Sequence, residues 1–212
     1  MVEQVKRVVG TEDGPDIWAE WPTPTQRRIL DAALESFAER GFHGTTLKHI
    51  AEGSGLSTAA LYVHFAAKED VLFALSRTGH AMALDLVAAA GGPDPVSALA
   101  DLVRSFVRWH AEHRTLARVV QYERDALSPE HRAVVADLRR RTEQVVRALV
   151  ERGIAAGAVT APDPHSATAA VLSLGIDVAR WYRPGGRWTP DELAEHYTGL
   201  VVRMLTSRAV DR

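Results

Sequence analysis

Residues 45–65, TTLKHIAEGSGLSTAALYVHF, are where residue types and spacing first suggest chemistry. Hydroxyls at Thr45, Thr46, Ser57 and Thr58 stand with the cation Lys48 and the polar rings Tyr62 and His64. Such groups bind phosphates and base edges. Their order is as telling as their types. Thr45 is expected to cap a short helix that turns Leu47, Ile50 and Ala51 inward. Gly55 is expected to supply a left-handed turn residue, with Leu56 plugging the core behind it. Ser57 is expected to cap a second short helix, pinned from inside by Leu61. A small residue at Ala51, a glycine at Gly55 and an apolar residue at Leu61 are what a helix-turn-helix requires. Its second helix is short and exposed, and its N-terminal end can enter a major groove. Other tight helical corners use similar residues, so spacing alone leaves a purely architectural corner open.

The elements that must position this segment are helices. Five times a capping residue directly precedes proline: Thr23-Pro24, Asp94-Pro95, Ser128-Pro129, Asp163-Pro164 and Thr189-Pro190. The first side chain can accept a free amide, and proline fits the first helical position, where its missing N–H is not needed. Gly41, Gly91-Gly92, Gly157 and Gly185-Gly186 stand where helices should stop. Between these marks the apolar period is near 3.6. Ile29, Ala33 and Phe37 form one stripe; Val96, Leu99, Val103 and Phe106 form another, with His110 on the same line; Leu193, Tyr197, Leu200, Val201 and Met204 form a third. No stretch alternates as a strand would. The pattern predicts an all-α chain of about nine helices. Its expected division is a mobile arm over 1–22, a helix-turn-helix domain over 23–70 and a larger helical domain over 71–212. Trp18 and Trp21, inside the arm, are expected to pack back onto the body.

Composition narrows the function further. The chain has 212 residues and no cysteine, which excludes disulfide scaffolds, thiol catalysis and Cys-type zinc sites. No purely apolar run approaches the roughly 18 residues of a membrane span, and the first residues lack a secretion signal. A soluble cytoplasmic protein is the expectation. Net charge is −2, so no basic excess advertises nucleic acid. Apart from Lys6, Lys48 and Lys68, all 25 Lys and Arg residues are arginine; genome base composition could produce that bias.

Residues 24–75 closely resemble the DNA-binding domain of TetR/AcrR-type transcriptional regulators. The stretches that carry the resemblance are RRILDAALESFAERGFHGTTLKHIAEGSGLS and LYVHFAAKEDVLFAL. The most specific run is Leu61-Tyr62-x-His64-Phe65-x-x-Lys68-Glu69-x-x-Leu72. The resemblance implies that Thr45, Thr46 and Lys48 contact a phosphate at the start of the second helix. Ser57, Thr58 and Ala59 would meet base edges, and Tyr62, His64 and Lys68 would grip the backbone. It also implies a palindromic double-stranded operator and a homodimer through helices near 164–182 and 190–208, where Ala167, Ala169, Ala170, Ser173 and Gly175 would allow close approach. Ala67 departs from the family, which places a capping residue there. A weakly started fourth helix with a mobile Lys68 is therefore expected.

Phe106, Trp109, His110, Tyr122 and Trp181 could line an effector pocket, or could be ordinary core. His110 and His113 have a spacing that could hold a metal, but no third ligand stands near them in sequence, and no metal or cofactor is expected. Residues 114–157 and Arg180–Gly186 resemble a TetR subgroup that controls fatty-acid or steroid catabolism and includes members released by acyl-CoA thioesters. Arg139, Arg140, Arg141, Arg180, Arg183 and Arg187 with Trp181 could serve such a ligand, or could be a solvated face and a turn. An enzyme using His110, His113, Tyr122, Glu123 and Asp177 is not expected, since no nucleophile stands beside a base. A protein-interaction module that keeps the helix-turn-helix as architecture is the other alternative. The reading chosen is a ligand-responsive, dimeric DNA-binding repressor.

Overall fold

The computed structural model describes residues 17–206. Among them are nine α-helices, one short 3-10 turn (Arg124–Ala126) and no strand. The helices are α1 Pro24–Gly44, α2 Leu47–Ser54, α3 Thr58–Tyr62, α4 Lys68–Ala89 and α5 Pro95–Glu112, then α6 Arg114–Tyr122, α7 Pro129–Ala155, α8 Pro164–Trp181 and α9 Pro190–Thr206. The all-helical expectation holds.

Every cap–proline pair starts a helix. Thr23, Asp94 and Asp163 accept amides of the first turns of α1, α5 and α8. Ser128 Oγ accepts from His131 N at 3.2 Å at the start of α7. Thr189 and Glu192 satisfy one another's amides at the start of α9, a reciprocal box. Gly41 interrupts α1 at φ 67 without ending it, and one more turn runs to Gly44.

The chain divides into two compact units. The first contains the residues up to Gly79 together with Thr115–Val135; the second contains His80–Arg114 and the chain from Ala136 on. In the first unit, Ile29, Leu30, Ala33, Leu34 and Phe37 of α1 are buried, as are Ile50, Leu61, Phe65, Leu72 and Leu75. Trp18 and Trp21 belong to this core. Trp18 is 4% exposed and donates from Nε1 to Asp31 at 2.7 Å. Trp21 donates to Thr78 Oγ1, and its ring lies 5.9 Å from that of Phe65. The two tryptophans thus pack back as the sequence suggests; residues 1–16 of the expected arm lie outside the described residues.

In the second unit, Leu99, Val103 and Phe106 of α5 pack with Val146 and Val150 of α7, Val171 and Val178 of α8, and Leu193 and Val201 of α9. Gly175 is where α8 meets α5: a Cβ there would lie 2.5 Å from Phe106 Cδ1. Ala167 is buried in the same core, whereas Ala169 and Ser173 are exposed. α4 is long and apolar enough in composition to cross a membrane, but Val71, Leu72 and Leu75 are buried in the first unit and Leu84 and Val87 in the second. Burial of that kind marks a core helix.

Candidate nucleic-acid interface

The corner is built by α1, α2 and α3. Ile50 and Ala51 of α2 are buried at 0% and 1% exposure, and Leu61 of α3 at 0%. Gly53, which sequence reasoning passed over, is a point of close contact: a Cβ there would lie 3.1 Å from Ala32 Cβ on α1. Gly55 takes the left-handed conformation, φ 69 and ψ 29, and its amide closes α2 onto Ala51 and Glu52 carbonyls. L side chains strain in that region, so glycine allows the chain to reverse within one residue. Ser57 then caps α3 by accepting from Ala60 N at 3.1 Å. The expected helix-turn-helix geometry is present.

The start of α2 differs from expectation. Its cap is Thr46, not Thr45: Thr46 Oγ1 accepts from His49 N, and His49 Nδ1 accepts from Thr46 N. Thr45 is 1% exposed, and its hydroxyl donates between the Ser36 and Gly41 carbonyls, 2.9 Å from each. Its hydroxyl therefore closes the end of α1 and does not face a phosphate. Thr46, Lys48, Ser57, Ala59 and Tyr62 are exposed, and Thr58 and His64 half-buried. Lys48 stands 3.7 Å from Glu52, an exposed pair of little energetic consequence.

Lys68 is the larger correction. Its ammonium donates to the Phe42 carbonyl and, at 2.6 Å, to the Thr45 carbonyl, and it lies 4.1 Å above the Phe42 ring. Desolvation lowers its pKa, and the Glu123 carboxylate opposes that shift. Glu123 also borders Gly41, where a Cβ would lie 3.3 Å from Glu123 Oε1. The lysine expected to be mobile instead neutralises the carbonyl end of α1, where a cation is favoured. The start of α4 is held too, because Asp70 accepts from Ala67 N at 2.8 Å, the third-position half of a capping box, although Ala67 offers no side chain to accept an amide of the first turn.

A second cluster went unnoticed in the sequence. Glu69, Asp70 and His131 each place a ligand atom within 4.8 Å of the others. Glu69 accepts from Ser128 N and meets His131 Nδ1, each at 2.8 Å, and the His131 ring stacks on Phe73 at 3.7 Å. The carboxylate thereby ties the start of α4 to the start of α7. The Ser128-Pro129 cap, three residues ahead of His131, was the available signal.

The five pocket candidates separate. Phe106, Trp109 and His110 are buried on α5, and Trp181, half-buried on α8, stacks on Tyr197 at 6.2 Å. Tyr122 belongs to the first unit and is 60% exposed, a surface ring and not the wall of a closed pocket. His110 Nδ1 lies 2.8 Å from the Phe106 carbonyl, and desolvation holds its pKa down at about 4. Burial lowers His113 as well. Trp109 Nε1 and His113 Nε2 are buried with no hydrogen-bond partner among the described residues. Four of the six arginines proposed for a CoA ligand have local partners. Arg140 pairs with Asp137 and Arg180 with Asp177, Arg183 donates to the Arg180 and Tyr182 carbonyls, and Arg187 covers Trp188, not Trp181.

Comparisons with known proteins agree with this geometry. Residues 29–75 match the family model for bacterial regulatory proteins of the tetR family, and residues 92–205 that for the tetracyclin repressor-like C-terminal domain. The crystal structure of a tetR-family regulatory protein from Rhodococcus RHA1 is 39% identical, covers 88% of this chain and 99% of its own, and superposes with a TM-score of 0.82. The HTH-type transcriptional repressor KstR2 of Rhodococcus jostii is 28% identical over 186 residues, 84% of this chain and 90% of that protein. The structure of the ketosteroid transcriptional regulator KstR2 of Mycobacterium tuberculosis is 25% identical, with coverage of 95% and 100% and a TM-score of 0.78.

Proposed function

Because this chain belongs to the TetR family of bacterial transcriptional regulators, a regulator and not an enzyme, we propose that it is a homodimeric, cytoplasmic repressor that leaves a palindromic operator when a largely apolar effector binds. The observation that carries the reading is the corner at Gly55, which leaves Ala59 and Tyr62 of α3 exposed beside the capped start of α2. Thr46 and Lys48 meet a phosphate, Ser57, Thr58 and Ala59 face base edges, and Tyr62 and His64 touch the backbone. Thr45 and Lys68 act from inside, by fixing the end of α1 against which α2 is set.

The dimer forms through α8 and α9, where Leu174, Leu200 and Met204 are 38%, 53% and 44% exposed. Exposed side chains of that size on adjacent helices fit a subunit interface. The effector enters the second unit near α5. Trp109 Nε1 and His113 Nε2 are the polar atoms it would satisfy, since buried polar groups without partners are costly. Similarity to a ketosteroid regulator favours a steroid ligand, and the subgroup resemblance of residues 114–157 adds acyl-CoA thioesters as candidates. The links are covalent: α4 begins in the first unit and ends in the second, so an effector that moves its second half moves the corner.

The test is selection of sequences from random DNA by the full chain, repeated with acyl-CoA esters and steroid acids. Enrichment of a palindrome that one ligand class abolishes is the expected result. Leu200→Arg should sediment as a monomer and bind the palindrome at least tenfold more weakly. A dimer unaffected by Leu200→Arg refutes the interface, and failure to enrich any sequence refutes the repressor.

A further inference from the structure

We propose that the corner reads thymine methyl groups, with Ala59 and Val63 as the side chains that touch them. The inference rests on the operator-binding function proposed above and specifies its chemistry.

Val63 follows the last residue of α3 and keeps a right-handed helical conformation, φ −65 and ψ −26. Positions 59, 62 and 63 therefore share one face at i, i+3 and i+4. The opposite face holds Leu61 and Phe65, buried at 0% and 6% exposure. On the outward face Ala59 is exposed, Tyr62 is 53% exposed and Val63 81%, the highest value among the large apolar side chains of the described residues. An isopropyl group so placed contributes nothing to the core.

What the face lacks is as informative. From Ser57 to Phe65 there is no Arg, Lys, Asn, Gln, Asp or Glu, the residues that read guanine, adenine and cytosine edges by hydrogen bonds. Ser57 Oγ is already the cap of α3. The outward methyl of Ala59 and isopropyl of Val63 have one complementary feature in the major groove, the C5-methyl of thymine. Burying a methyl against them excludes water from both partners and needs no charge. This matches a domain whose residues 23–70 carry five cations and six carboxylates.

The experiment starts from an operator selected by the full chain. Each thymine of one half site is replaced in turn by deoxyuridine, which removes the methyl and leaves pairing and phosphates unchanged. Affinity is read by fluorescence anisotropy. One or two positions should lose about fourfold, and about fifteenfold when both half sites are changed, the effect of one and two buried methyls. Val63→Ala and Ala59→Gly should each bring the thymine-to-uracil ratio close to one at a different position. The ratio cancels any general loss of folding or affinity, because both operators meet the same variant. A specific operator at which no replacement changes affinity by as much as about twofold overturns the inference and leaves the repressor standing. Discrimination that survives both substitutions overturns it as well. A selection that enriches nothing removes both the function and the inference.

Discussion

The pH dependence of folding should be dominated by His110. Its imidazole is buried on α5 at 5% exposure, and desolvation, opposed by the Phe106 carbonyl and aided by His113, sets its pKa near 4. In the unfolded chain the value is about 6.5. The folded value is the lower one, so the unfolded state takes up the proton first. Stability is therefore complete above the unfolded value and is lost as pH falls through that value toward the folded one. At pH 5 the unfolded imidazole is almost wholly charged and the folded one about nine-tenths neutral, which costs about 2 kcal/mol relative to pH 7.5. The whole interval is worth about 3 kcal/mol. Urea unfolding of the wild-type protein and of His110→Gln at the two pH values measures this. The wild type should lose about 2 kcal/mol more than the variant. His113 is shifted the same way, so the comparison with the variant isolates the His110 share. Should the variant not fold, the His110 imidazole resonance of the wild type decides: it must stay unprotonated from pH 7.5 to 5, and a midpoint near 6.5 refutes the reasoning.

Two further substitutions test the packing on which the site depends. Gly175→Ala gains about 1 kcal/mol of helix propensity but forces a methyl into the Phe106 ring, an overpacking worth about 1–3 kcal/mol. The melting temperature should fall, and Phe106→Leu should make the same alanine tolerable; a stabilised single variant would mean the ring yields freely. Lys68→Met keeps the stem over Phe42 and removes the bonds to the Phe42 and Thr45 carbonyls, with a loss of about 1–2 kcal/mol. Operator affinity should fall while its salt dependence is unchanged; a slope shallower by about 1.8, about 0.9 for each corner of the dimer, would show that Lys68 contacts phosphate after all.

Helix starts were legible because a capping side chain and a proline act locally, through one amide and one fixed φ. The corner was legible for the same reason: Gly55 and Ser57 form their hydrogen bonds within three residues of themselves. What stayed hidden is what folding assembles across distance. No local signal tells that Lys68 will turn toward carbonyls 23 and 26 positions earlier. A lysine at a helix start near a glycine-rich corner suits phosphate equally well until the end of α1 is seen beside it. Thr45 and Thr46 show the limit at its narrowest. Adjacent threonines look alike as caps, and only the pull of Ile50 and Ala51 into the core decides which hydroxyl faces α1 and which caps α2. The arginines around Trp181 show how readily arginine finds partners at short range: Asp177 is three residues from Arg180.

A weakly charged corner has a consequence for control. Of the cations in residues 23–70, Lys68 and Arg27 donate to carbonyls, and Arg40 and Lys48 stand beside Glu39 and Glu52. Sequence-independent binding comes from cations that replace counterions along the phosphates, so one such corner holds bulk DNA weakly. In the proposed dimer the second corner binds intramolecularly, which multiplies affinity about 10²–10⁴-fold with no new kind of contact. That gain exists only while both corners fit successive major grooves. A reader held by strong charge would stay on DNA after its half sites lost register; this one would not. In the proposed dimer, the near-neutrality that advertised no nucleic acid in the sequence would let a small movement of α4 empty the operator.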